Sequence, residues 1–264
     1  MKNKLLEVSS DRLKGYKKQK RVNGNINVIE IKIDDDNSGF EKGRYFVINF
    51  DYNNIGQDYP IMIDEIKKCL KKLVKSAKKI LVVGLGNKDV ICDSLGTKTV
   101  SKLLLAADTV VQVMGLLPNV FGVTGIESYD IIFGVIKQVK PDVVICIDTL
   151  SASNYDSLFG SVQISDTSIT PGSGVGNSRK KLSKETLKLP VIVFGIPMLI
   201  SLKNLVNSFS ENSKNVDERG MWLAPKDIDF AVEEFSYIFA KSINEYFYPE
   251  FSSEEIEKYV KGIF

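Results

Sequence analysis

The sequence predicts an α/β protein, a three-layer α/β/α domain with a mostly parallel sheet and a small N-terminal β-hairpin extension. Three observations lead there. Short apolar, β-branched runs occur at Lys79–Gly84, Asp142–Asp148 and Pro190–Gly195, the pattern of strands buried on both faces. Helical periodicities separate these runs, as βαβ units with right-handed crossovers require. The chain has 264 residues, 44% of them hydrophobic, which suits one sizeable core.

Taken in order, residues 1–24 are polar and rich in lysine, with Lys17, Lys18, Lys20 and Arg21 close together, and read as a solvated arm. A single domain is expected over 25–264, with the hairpin at 25–58 and the α/β core at 60–264. Ile26–Ile33 and Arg44–Phe50 alternate apolar and polar residues around an Asp34–Gly39 turn, which makes the hairpin. Ile63, Ile66, Leu70, Leu73, Val74 and Ala77 recur at helical spacing, with lysines on the opposite face. A second helix is expected over Tyr129–Val139, and a last long one from Pro225 to about Tyr246. Val191–Leu202 is the longest apolar stretch, too short for the roughly 20 residues of a membrane span. No signal-peptide h-region follows Met1.

Composition excludes much chemistry. There is no histidine, so Ser-His-Asp triads, Cys-His dyads and HExxH zinc sites are ruled out. Hydrolysis must rest on carboxylates, Lys, Cys, hydroxyls or backbone amides. A net charge of +2 is not the footprint of a nucleic-acid binder, and three Cys argue against a disulfide scaffold and for a reducing cytoplasm.

In an open parallel sheet, function gathers beyond the carboxyl ends of the strands. Gly84-Leu-Gly86-Asn87 starts like a dinucleotide fingerprint, but Asp89 takes the third glycine's place and would repel a pyrophosphate. Asp93 is then either a helix cap or a functional acid, and Asp148 either binds loop amides or serves a site. Asn87 either orients a carboxylate or simply makes a turn. Glu127 either lines the site or complements a helix dipole. Asp166 is a site candidate at a strand end. Gly172, Ser173 and Gly174 belong to a glycine loop that a ligand could approach, and the loop lacks a Walker ending. Cys92 has no imidazole to activate it, while Cys69 and Cys146 fall in core patterns.

Several strings resemble the germination (spore) protease family: Gly84–Asn87, Asp93–Gly96, Gly122–Ser128, Ile147–Leu150, Gln163–Thr167, Lys181–Leu187 and Ala224–Asp229. Pro171-Gly-Ser-Gly-Val-Gly-Asn177 is the most specific of them. The resemblance implies an endopeptidase that starts the degradation of small acid-soluble DNA-coating spore proteins during germination. It further implies a zymogen with a short N-terminal propeptide, a homotetramer, a forespore or spore-core location, and a fold similar to hydrogenase maturation endopeptidases. No cofactor, metal, membrane or direct nucleic-acid contact is implied. The family's two essential aspartates match Asp93 and Asp148. Two acids held close resist double ionisation, so one stays protonated while the other activates water. Only ten residues precede Asp11, which leaves little room for a propeptide. Departures near both aspartates keep a regulatory, peptide-binding relative in view. A maturation-type peptidase for a metalloenzyme precursor is the third reading, weakened by the lack of a His ligand for nickel.

Overall fold

The computed structural model describes residues 18–34, 40–105, 109–172, 179–209 and 220–263. The Asp34–Gly39 turn, apart from Asp34, and most of the 1–24 arm lie outside them. The strands are β1 (Lys18–Asn23), β2 (Ile26–Ile33), β3 (Gly43–Asn49), β4 (Lys79–Gly84), β5 (Gln112–Leu116), β6 (Val143–Ala152), β7 (Ser161–Ser165), β8 (Val191–Ser201) and β9 (Trp222–Leu223). The helices are α1 (Ile55–Leu73), α2 (Leu95–Ser101), α3 (Phe121–Thr124), α4 (Ser128–Val139), α5 (Lys184–Leu187), α6 (Leu202–Phe209), α7 (Ile228–Phe247) and α8 (Ser253–Val260).

The nine strands of the described residues join one sheet in the order β1-β2-β3-β7-β8-β6-β4-β5, with β9 on the tip of β8. Helices cover both faces. Alternate residues of each strand supply two cores, as period-two side chains must. On one face Ile80, Val82, Ile145 and Phe194 meet Ile66 of α1, Leu95 of α2 and Phe235 and Phe239 of α7. On the other, Leu81, Val83, Val144, Cys146 and Val193 meet Ile132 and Ile136 of α4 and Leu187 of α5.

Two expectations change. The sheet is mixed rather than mostly parallel: β5-β4-β6-β8 are parallel neighbours, while β1-β2-β3-β7-β8 and β8-β9 pair antiparallel. The N-terminal strands are also not an appendage. β7 returns antiparallel to β8, and β3 pairs with its outer edge from Tyr45↔Ser165 to Asn49↔Ser161. Ile26, Val28, Phe46 and Ile48 thereby enter the same core as α1 and α7. Residues 18–23, read as the end of an arm, form β1. It is tied to α1 by Arg21, whose Nε donates to Glu65 Oε2 at 2.6 Å, and by Asn23, whose Nδ2 donates to Glu65 Oε1 at 3.2 Å.

The chain leaves β4 by way of α2 on one face to reach β5, then returns by way of α4 on the other face to β6, on the far side of β4. The carboxyl ends of β4 and β6 are therefore the topological switch point, where an open α/β sheet forms its crevice. Among the described residues no helix is long and apolar enough to cross a membrane.

Candidate active site

The switch point is built by close backbone approach. A Cβ on Gly96, in the first turn of α2, would fall 2.3 Å from the Ile147 carbonyl oxygen and 2.6 Å from that of Leu85. Gly86 has φ +96° and lies against the segment that carries Asp93, since its Cβ would sit 2.0 Å from the Asp93 carbonyl oxygen. Only glycine fits such a place. The loop after β4 is thus folded tightly on a 3-10 turn at Ile91–Asp93, and the turn presents Asp93.

Asp93 does not cap α2. The N-cap position of that helix is Ser94, and Asp93 Oδ2 instead accepts the Asn87 backbone N–H at 2.8 Å. The Asn87 side chain makes a turn, Oδ1 accepting from Asp89 N–H at 3.0 Å, so its backbone orients the carboxylate and its amide does not. Burial raises the Asp93 pKa above its ordinary value, partly opposed by the Asn87 N–H. Asp148, near the end of the apolar core of β6, is buried, with Oδ1 accepting the N–H of Thr149 at 2.9 Å. Burial first, and then the charge of Asp93, push its pKa well above the ordinary carboxyl value. The charge of Asp93 therefore reaches Asp148 across the site.

Both line one cleft of about 560 Å³. Its walls include Gly86, Asn87, Val90 and Cys92 from the β4 loop, Val120–Gly122, Thr149–Ser151 of β6, and Ile169–Gly172. Gly172 is therefore at the site, with φ +73°. Ser173 and Gly174 lie outside the described residues. Cys92 is half-buried, and burial and then Asp93 raise its thiol pKa, which disfavours a thiolate nucleophile.

Two candidates stand elsewhere. Glu127 is not in the cleft wall; it begins α4 and holds Arg179, Nη1 to Oε1 3.3 Å, and it is Arg179 that lines the cleft, stacked 4.7 Å over the Phe121 ring. Asp166 is exposed at the opposite end of the sheet, where Oδ1 accepts the Arg44 N–H at 2.6 Å. The reason is topological. β7 runs antiparallel to β8, so its carboxyl end points away from those of β4 and β6. Sequence reasoning missed Arg179, Thr149, Thr170 and Trp222 as cleft residues. Arg179 follows directly on the glycine loop and was legible as a cation there; Trp222 had no signal, since β9 is only two residues long. Among the described residues no group of three or more Cys, Asp and Glu side chains is placed to hold a metal ion.

The family model described as germination protease matches residues 1–210. The chain belongs to the germination protease family. It is therefore a hydrolase, an endopeptidase acting in spore germination. A germination protease of Clostridium acetobutylicum is 31% identical, with 83% of each chain covered. One from Clostridium perfringens (strain SM101) is 32% identical over 92% of this chain and 90% of its own. A solved nickel–iron hydrogenase maturation protease from Thermococcus kodakarensis KOD1 superposes with a TM-score of 0.40 at 18% identity, over 68% of this chain and 98% of its own.

Proposed function

We propose that this germination protease cleaves small acid-soluble, DNA-coating spore proteins in the forespore or spore core, with Asp93 as base and Asp148 as acid. The observation that carries the reading is one cleft holding two carboxyls, of which the more deeply buried is also loaded by the other's charge. Such a pair resists losing both protons, and it titrates as a unit. Ionised Asp93 takes a proton from a water as the water oxygen attacks the scissile carbonyl carbon. Asp148 gives its proton to the carbonyl oxygen, so no full oxyanion develops. On collapse the C–N bond breaks, the leaving nitrogen takes the proton held on Asp93, and Asp148 recovers its own from the gem-diol. No imidazole is needed, which agrees with a chain that has none.

With a net charge of +2, the enzyme recognises the coat protein rather than the DNA beneath it. The same reading carries a homo-oligomer, checked by light scattering. The main test is intact-mass analysis after mixing the enzyme with small acid-soluble spore proteins. The parent should cut them at discrete bonds, and Asp93→Asn and Asp148→Asn should each slow cleavage by about 10³-fold, within the range general acid–base groups contribute. Undiminished cleavage in either variant removes the assignment.

A further inference from the structure

The carboxyl pair stands at one end of an unpaired length of strand. β4 and β6 are in parallel register from Ile80↔Val143 to Gly84↔Ile147, and the Leu85 N–H reaches the Ile147 oxygen one step further, at 2.9 Å. β8 stays with β6 much longer, through Asp148↔Gly195 to Ala152↔Ile200. From Asp148 to Ala152, therefore, β6 is paired on one edge only among the described residues. The other edge faces the cleft, whose lining includes Asp148, Thr149, Leu150 and Ser151.

The direction of the backbone groups follows from the ladder. The Val144 N–H donates to Pro190 on the β8 side, whereas the Ile147 carbonyl accepts on the β4 side. Even and odd residues thus address opposite edges, as in any parallel pair. The register shift between Leu150↔Pro197 and Ser151↔Leu199 inserts its extra residue in β8, so the alternation in β6 continues. Thr149 and Ser151 then turn their N–H and C=O groups to the open edge. The Thr149 N–H is already satisfied by Asp148 Oδ1. Two cleft hydroxyls, Thr149 Oγ1 and Thr170 Oγ1, are buried with no hydrogen-bond partner among the described residues. Leaving polar groups buried in this way costs stability unless a ligand supplies the partner.

We infer that the substrate polypeptide binds here as an added β-strand, in the track that β4 vacates after Gly84. Its backbone pairs with the N–H and C=O of Ser151 and the C=O of Thr149, and its scissile bond is delivered to Asp93 and Asp148. The inference rests on the two-aspartate reading. An endopeptidase must hold an interior stretch of chain in extended form, and this edge, about 13 Å long at the rise of a strand, starts at the acid itself. Strand addition draws affinity from main-chain bonds, and alternate side chains go to pockets. Val90 and Phe121, both exposed and both lining the cleft, are apolar walls for such side chains.

The test uses the full-length enzyme and a quenched fluorescent peptide spanning a bond it cuts in a spore protein. Single N-methylation of the peptide, residue by residue and away from the scissile bond, should raise KM about tenfold at alternate residues and little between them. On the enzyme side, Ser151→Pro removes one edge N–H and should raise KM about tenfold with kcat retained. Ser151→Ala keeps that N–H, and an equal rise in KM there would trace the effect to the hydroxyl and overturn the inference. A scan without period-two alternation, or a Ser151→Pro variant that folds and shows an unchanged KM, overturns the inference. Should Ser151→Pro fail to fold, the scan decides alone. Cleavage that survives in Asp93→Asn or Asp148→Asn would instead fault the catalytic reading, so the two failures are distinct.

Discussion

The two ends of the sheet each carry a pair of aspartates, and they are held in opposite ways. At the carboxyl ends of β4 and β6, Asp93 and Asp148 are drawn out of water, each accepts one backbone N–H, and burial raises both pKa values. At the other end, Asp142 and Asp166 line a groove but are exposed. Asp142 Oδ2 accepts the N–H groups of Lys78 and Lys79, both at 2.8 Å, and these bonds hold its pKa below the ordinary value. Asp166 ties β7 to β3 through the Arg44 N–H. An acid in water, satisfied by amides, fastens strands together. An acid buried in a cleft beside another acid is held at a cost in stability, the arrangement that the proposed proton transfer would use.

The comparison is tested most severely through activity, where loss is expected only at the Asp93–Asp148 end. The pH profile should be bell-shaped. Its acid limb belongs to ionisation of the pair above the ordinary carboxyl range, and its alkaline limb to loss of the last shared proton, well above that range. A rate that shows neither limb at any pH where the fold holds would break the proton-sharing account.

Next in size is Gly86→Ala. Its Cβ would meet the Asp93 carbonyl, at a backbone angle that disfavours side chains, so the 3-10 turn must shift. Displacing a catalytic group by about 1 Å costs on the order of 10²-fold in kcat. Wild-type turnover in this variant would show that the turn does not position Asp93.

Stability should then move in opposite directions at the two ends. For Asp148 the folded pKa is raised, so between the ordinary 3.8 and the raised value the native state holds more protons than the unfolded chain. Stability is lost as pH rises through that window, and Asp148→Asn should melt higher than the parent at pH 7 and no higher below about pH 3.8. For Asp142 the folded pKa is lowered. Its contribution is present above 3.8 and lost as pH falls through the folded value, so Asp142→Asn should be destabilised at pH 7, on the order of 1 kcal/mol for the weakened amide bonds. Thermal melts across pH settle both signs. The smallest effect belongs to Asp166→Asn, expected to leave kcat/KM within about twofold, the scatter normal for a remote surface change. A hundredfold loss there would bring the far end into the catalytic machinery.

Much of the fold was legible in local pattern. β2 and β4 lie where alternation and the buried apolar run put them, and α4 and α7 lie within a few residues of their periodic stretches. Misreadings came where partners decide. β5 contains Gly115 and only a short apolar run, and is a strand because β4 offers it an edge. β8 extends past Gly195 through Pro197 to Ser201, since a bulge against β6 accommodates the proline.

The sequence alone determined that any hydrolysis here is free of imidazole and that acids follow two of the buried strands, because composition and strand-end spacing are local facts. Only the tertiary structure decided which acids meet. Asp93 and Asp148 converge because β4 and β6 are parallel neighbours whose connections depart on opposite faces, and Asp166 is sent to the far end because β7 is antiparallel. Strand direction is set by long-range pairing, which no single segment encodes, and with it goes the desolvation that separates the buried carboxyls of the cleft from the exposed ones at the far end.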